Sequence, residues 1–210
     1  MPGYHIHDSH PNRTRNPDWG MRPMFGHTII SDDFGKTWRA GASEGPLNVD
    51  ENQAVALPSP EGGPCVGELC PNSTRLMINA RNEMDGCPNF PNCKPHHRLY
   101  AVSDDGGRTF GPPRFAEDLP EPICSAGLAN HHGTLFFSNP DSSSERTHMT
   151  LKASSDSGLS WHVDTPIFAG HSAYSVVVPL IDATRVGVVY ERGEASPYER
   201  VTLAIVSLSH

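Results

Sequence analysis

Three octapeptides concentrate side chains that either a reaction centre or a tight turn would use: SDDFGKTW at 31–38, SDDGGRTF at 103–110 and SSDSGLSW at 154–161. Each follows Ser-x-Asp-x-Gly-x-(Thr/Ser)-(Trp/Phe), and a pattern met three times in one chain is a structural repeat before it is a site. Histidines cluster at His5, His7 and His10, at His96 and His97, and at His131 and His132, which raises a metal centre. The clusters are separated and lack carboxylates at matching spacing, so they read as loop histidines and no metal is expected. The cysteines are Cys65, Cys70, Cys87, Cys93 and Cys124. Their two short spacings suit small disulfide loops or, less readily, zinc, since neither is the Cys-x2-Cys of a zinc knuckle.

The elements around these residues are strands. HTIISDD, RLYAVSDD and MTLKASSD run straight into the octapeptides, with the β-branched and aromatic residues of strands. The unit is strand, turn, strand. Ser31, Ser103 and Ser154 open the turns; Asp33, Asp105 and Asp156 are suited to accept backbone N–H groups as Asx-turns; Gly35, Gly107 and Gly158 supply positive φ. Trp38, Phe110 and Trp161 are then free to pack inward. These aspartates therefore have a local structural task in place of a catalytic one. The intervals between turns suit one four-stranded antiparallel sheet per repeat, with an insertion in the first, the Pro-, Gly- and Cys-rich LPSPEGGPCVGELCPNS and DGCPNFPNCKPHH. Repeats of this size stack radially into a β-propeller. Helix is scarce, because prolines interrupt every candidate.

The chain has 210 residues, a net charge of −8 and only 16 Lys plus Arg, which argues against nucleic acid or an anionic membrane as partner. An acidic ligand would have to be held by a few placed arginines. No apolar run approaches the roughly 20 residues that span a bilayer, and the start MPGYHIHDSHPNRTRN lacks the apolar core of a signal peptide. The 20 prolines and 19 glycines are spread as punctuation between short apolar stretches, the habit of a turn-rich β protein. Sequons at Asn12 and Asn72 favour a lysosomal or extracellular setting over the cytoplasm.

The octapeptides resemble the Asp-boxes of sialidases (neuraminidases), and the segments between them resemble that family in order: VDENQAVAL then RLMINARN, FFSNPDSSSERTHMTLKASSDSG, SAYSVVVPL and GVVYERG. The resemblance implies a six-bladed all-β propeller, of which residues 1–210 look like the C-terminal part of one domain, lacking the N-terminal blade region. It implies an exo-α-sialidase acting with retention on sialylated glycoproteins, glycolipids or oligosaccharides, a reaction of glycan and ganglioside catabolism that needs no cofactor. It also assigns roles: Tyr174 as nucleophile, Glu51 as its base, Arg81 and Arg146 as carboxylate-binding arginines, and Glu191 as the glutamate that orients a further arginine.

The chemistry of such a substrate asks for the same groups. A carboxylate nucleophile is repelled by the sugar's own carboxylate, whereas a tyrosine hydroxyl approaches neutral, a departure from the two-carboxylate rule of most glycosidases. With an ordinary pKa near 10 it needs an adjacent base. A planar carboxylate favours arginine over lysine. The family's first arginine and its acid/base aspartate have no matching segment in residues 1–30, and Asp8, the nearby carboxylate, is a poor substitute. Reduced or absent activity of this chain alone is therefore expected. The alternative is a non-catalytic propeller that binds sialylated glycans or scaffolds partners.

Overall fold

The computed structural model describes residues 2–6, 24–44, 49–60, 63–83 and 94–208, and every regular element among them is a β-strand. Asp8, Cys87, Cys93 and the Asn12 sequon lie outside the described residues. No helix of the described residues is long and apolar enough to cross a membrane.

Strands β1 (Pro2–Ile6), β2 (Met24–Ile30) and β3 (Arg39–Glu44) form a three-stranded antiparallel sheet. Strands β4 (Val49–Ala56), β5 (Leu76–Asn82), β6 (His97–Ser103) and β7 (Arg114–Pro120) form a four-stranded meander. The rest is one curled sheet in the order β13-β12-β11-β10-β9-β8, made of β8 (Gly127–His131), β9 (Thr134–Pro140), β10 (Thr147–Ser154), β11 (His162–Pro179), β12 (Arg185–Gly193) and β13 (Arg200–Ser207). The curl has a covalent cause. The 18-residue β11 pairs with β10 as far as His171 and with β12 from His171 onward, so one strand serves two leaves. At Gly127 a Cβ would lie 2.5 Å from the backbone nitrogen of Val177, so β8 approaches β11 more closely than a side chain allows.

Period-2 alternation decides what each face meets. On β9, Leu135 and Phe137 turn toward β4–β7, where they bury with Val55, Met77, Tyr100, Leu119 and Trp161. Phe136, between them, joins Met149, Leu151, Val177, Val186 and Val188 on the other side. The leaf β8–β10 is thus apolar on both faces and lies between two cores. Burying each such side chain is worth about 1.5–3 kcal/mol. Beyond the second core, Val176 (53% exposed), Leu203 (57%) and Ile205 (48%) leave an aliphatic face of β11–β13 open.

The three octapeptides close as turns with one hydrogen-bond scheme. Ser31, Ser103 and Ser154 accept the N–H of Gly35, Gly107 and Gly158 at 2.7, 2.8 and 2.9 Å. Each serine hydroxyl donates to its aspartate. The aspartate accepts the N–H and hydroxyl of Thr37, Thr109 or Ser160. These glycines have φ of +84°, +80° and +82°. The side-chain hydrogen bond from Thr109 leads the interactions that hold the Asp105 carboxyl down at about 2. The aromatics part company. Trp161 is buried against Phe137, with ring centroids 5.7 Å apart, whereas Trp38 is half exposed and lies over its own turn, donating to the Gly35 carbonyl at 3.1 Å. Trp38 thus departs from inward packing. Cys65 and Cys70 form a disulfide, and Cys124 is a buried free thiol.

Candidate active site

The register puts the candidate arginines at the strand ends opposite the turns. β10 begins just after Arg146 and ends in the turn at Ser154, and β5 ends at Asn82, just past Arg81, where it faces the start of β6, not the turn that follows Ser103. Eight residues of strand separate the two ends of β10, roughly 25 Å at strand rise.

Two strands present candidate side chains from β-bulges. On β4, Asp50 pairs with Arg81 and Gln53 with Asn79, so Glu51 and Asn52 face the single residue Ala80. Glu51 takes up the irregularity with φ of +39°, an uncommon conformation for a non-glycine residue. On β11, Ser172 pairs with Arg192 and Ser175 with Tyr190, so Ala173 and Tyr174 face the single residue Glu191. Bulges re-aim side chains in this way. The N–H of Tyr174 then donates to the Glu191 carboxylate at 3.1 Å.

The two bulges bring their side chains together. The Tyr174 hydroxyl donates to Glu51 Oε1 at 2.5 Å, and Arg81 Nη1 donates to Glu51 Oε2 at 2.5 Å and to the Tyr174 oxygen at 3.2 Å. Arg146 completes the group: its guanidinium carbon lies 5.6 Å from the Tyr174 ring centroid, a cation–π contact. It donates from Nη1 to Tyr198 Oη and from Nη2 to the carbonyl of Ile123, both at 2.6 Å. Tyr174, Glu51, Arg81, Arg146 and Glu191 thus form one cluster. Tyr198, on the short β12–β13 connection, and Asp50 and Glu83, which flank Arg81, join it without any sequence signal.

The electrostatics are unequal. Arg81 is ion-paired to Glu51, to Glu83 and, at 3.5 Å, to Asp50. Burial works against its charge, but the Glu51 hydrogen bond and the three carboxylates hold its pKa above the ordinary value. Burial pushes Asp50 up to about 7 against the pull of Arg81, with repulsion from Glu83 and Glu51 adding to the rise. Tyr174 is pushed up to about 12, first by burial and then by the hydrogen bond and charge of Glu51, despite Arg81. The phenol therefore stays protonated at neutral pH, with its proton aimed at a carboxylate. Such a pair suits concerted attack and deprotonation, not a preformed phenolate.

No family model matches the sequence. The chain is 30% identical over 187 residues to a sialidase of Micromonospora viridifaciens, covering 84% of this chain and 25% of that protein. It is 27% identical over 193 residues to a sialidase of Bacteroides fragilis (strain YCH46), covering 87% and 30%. Among solved structures, the Hadza microbial sialidase Hz136 superimposes with a TM-score of 0.66 at 29% identity, over 89% of this chain and 33% of that one. The NanB sialidase of Streptococcus pneumoniae shares the fold, with a TM-score of 0.61 at 19% identity over 87% of this chain and 27% of that one. Antiparallel all-β architecture and sequence together define a sialidase-type β protein. The chain belongs to the sialidase family by homology, and it spans a quarter to a third of the length of these relatives.

Proposed function

We propose that this chain carries the nucleophile-and-base half of a retaining exo-α-sialidase site. The observation that supports it is the 2.5 Å hydrogen bond from Tyr174 to Glu51 with Arg81 on both groups. On this reading Arg81 and Arg146 receive the sugar carboxylate. The Tyr174 oxygen bonds to the anomeric carbon as its proton passes to Glu51, and the bond to the leaving oxygen breaks. Water then releases the sugar from the tyrosine. The substrates are sialylated glycoproteins, glycolipids or oligosaccharides. The family's acid/base aspartate and first arginine have no counterpart in residues 1–30, so turnover of ordinary glycosides by the 210 residues alone is low. The sheets are read as successive blades of a propeller domain running through residues 1–210, without its N-terminal blade region.

The test is a 2,3-difluorosialosyl probe followed by intact mass. Fluoride leaves without the help of a strong acid, so the probe addresses the groups that this chain holds. One covalent adduct is expected on the wild type and none on Tyr174→Phe, which keeps the ring and loses the attacking oxygen. Labelling that persists in Tyr174→Phe assigns the nucleophile elsewhere, and a wild type that never labels removes the enzymatic reading. Grafting the preceding segment of a close relative is expected to raise aryl-sialoside hydrolysis sharply.

A further inference from the structure

Behind the cluster lies an ion pair that the chemistry above does not use. Arg98 on β6 and Glu121, just past β7, are both fully buried, and Arg98 Nη1 donates to Glu121 Oε2 at 2.7 Å. Exchanging a buried ion pair for well-packed apolar residues is often neutral or stabilising, so stability alone gives little reason for this one. Its other bonds lead to the site from both sides. Glu121 Oε1 accepts the backbone N–H of Asn82, the residue after Arg81, at 2.5 Å. Arg98 Nε donates to the side-chain oxygen of Asn79, two residues before Arg81 on the same strand, at 2.8 Å.

On the far side, Arg98 Nη1 also donates to the carbonyl of Cys124 at 3.0 Å. The preceding carbonyl, that of Ile123, is the one that receives Arg146 Nη2. Ile123 has φ of +53°, a conformation that a β-branched residue adopts only when its surroundings impose it. The contact from Arg98 to the next carbonyl is such an imposition. One buried guanidinium therefore ties the strand that carries Arg81 to the strained peptide that aims Arg146.

We infer that Arg98 and Glu121 are positioning residues that fix the spacing of the Arg81 and Arg146 guanidinium groups, and with it the selectivity of the site for a sugar carboxylate. The inference rests on the proposed sialoside reading and adds to it the origin of that spacing. Neither residue touches substrate. Their effect passes through Asn79, Asn82 and the Ile123–Cys124 peptide, and small misplacements of binding groups have large effects on recognition.

The test compares affinities of the 210-residue chain for 2-deoxy-2,3-dehydro-N-acetylneuraminic acid and for its methyl ester, by titration calorimetry or ligand-observed NMR. The wild type is expected to prefer the acid. Arg98→Met, close in volume, is expected to reduce the acid-to-ester preference by roughly tenfold or more. A merely structural role leaves this ratio alone, because a partly unfolded sample weakens both ligands equally. If Arg98→Met does not fold, the isosteric Glu121→Gln decides. An unchanged ratio in the folded variants overturns the inference while the site reading stands. A wild type with no preference for the acid overturns the site reading and the inference with it.

Discussion

Tyr174 and Glu51, 123 positions apart in sequence, are joined by a hydrogen bond of 2.5 Å from phenol to carboxylate. Neither reaches the other from a regular strand, since each stands in a bulge where two residues oppose one. Their meeting is a property of two backbone irregularities as much as of two side chains.

Glu51→Gln tests the division of labour. Because the Tyr174 phenol is pushed up to about 12, its proton has to leave during attack, and an amide cannot take it. Labelling by the difluorosialosyl probe is expected to slow by about 10²- to 10⁴-fold, the usual contribution of a positioned base. A labelling rate within a few-fold of wild type would show that Glu51 is not the base.

Asp50 should make stability pH-dependent. Its carboxyl keeps a proton to about pH 7 when folded, against an ordinary value of 3.8. The folded state therefore binds the extra proton between those values, and this contribution is full in acid and declines as pH rises toward 7. Asp50→Asn is permanently neutral, so its melting temperature should match wild type only below about pH 4 and exceed it increasingly from there to about pH 7. The gap should grow by no more than about 1.4 kcal/mol per unit. Parallel curves from about pH 4 to about pH 7 would place the buried proton elsewhere.

The turn glycines should be costly to replace, and unequally so. Gly107→Val forces a β-branched residue into φ of +80° and should destabilise by more than about 1 kcal/mol. Gly158→Ala adds a clash to the same strain, because its Cβ would lie 2.5 Å from the Met77 side chain, whereas the Cβ of Gly107→Ala meets nothing nearer than 3.4 Å. Denaturant melts should therefore rank Gly158→Ala below Gly107→Ala. Sialoside affinity of the folded fraction should not move, since the turns lie at the strand ends away from Tyr174.

The open aliphatic face of β11–β13 should drive self-association. Val201, at 70% exposure, extends the row formed by Leu203 and Ile205 along β13, the edge strand of its sheet among the described residues, and an edge adds backbone pairing as a second adhesive. Light scattering at rising concentration should show oligomers or aggregates. Leu203→Glu with Ile205→Lys should suppress them without lowering the melting temperature. A wild type that stays monodisperse, with a sharp melt at high temperature, would contradict this.

What the residues themselves show is local, and Tyr174, Glu51, Arg81, Arg146 and Glu191 are named together only through the family resemblance. The octapeptides carry their own hydrogen-bond partners within a few positions, and Cys65 lies five residues from Cys70, so a turn and a disulfide loop are written in adjacent letters. The bulges at Glu51 and Tyr174 are not, because a surplus residue shows only against its partner strand. Tyr198 reaches Arg146 across 52 positions, and the Arg98–Glu121 pair sits between strands whose residues look ordinary one by one. Trp38 failed its expectation for the converse reason: the turn sets where an aromatic starts, and the neighbouring sheet decides whether there is anything to cover it.

The paired bulges also imply a conflict between sheet regularity and the chemistry proposed for this chain. Removing Asn52 or Ala173 would let the ladder close in unbroken register, and the bulge from which Glu51 or Tyr174 is presented would be lost. A selection for thermal robustness alone would drift toward such deletions, whereas a selection for catalysis would have to keep both irregularities. Comparing deletion tolerance at these two sites with that of any other strand position would show which pressure shaped the chain.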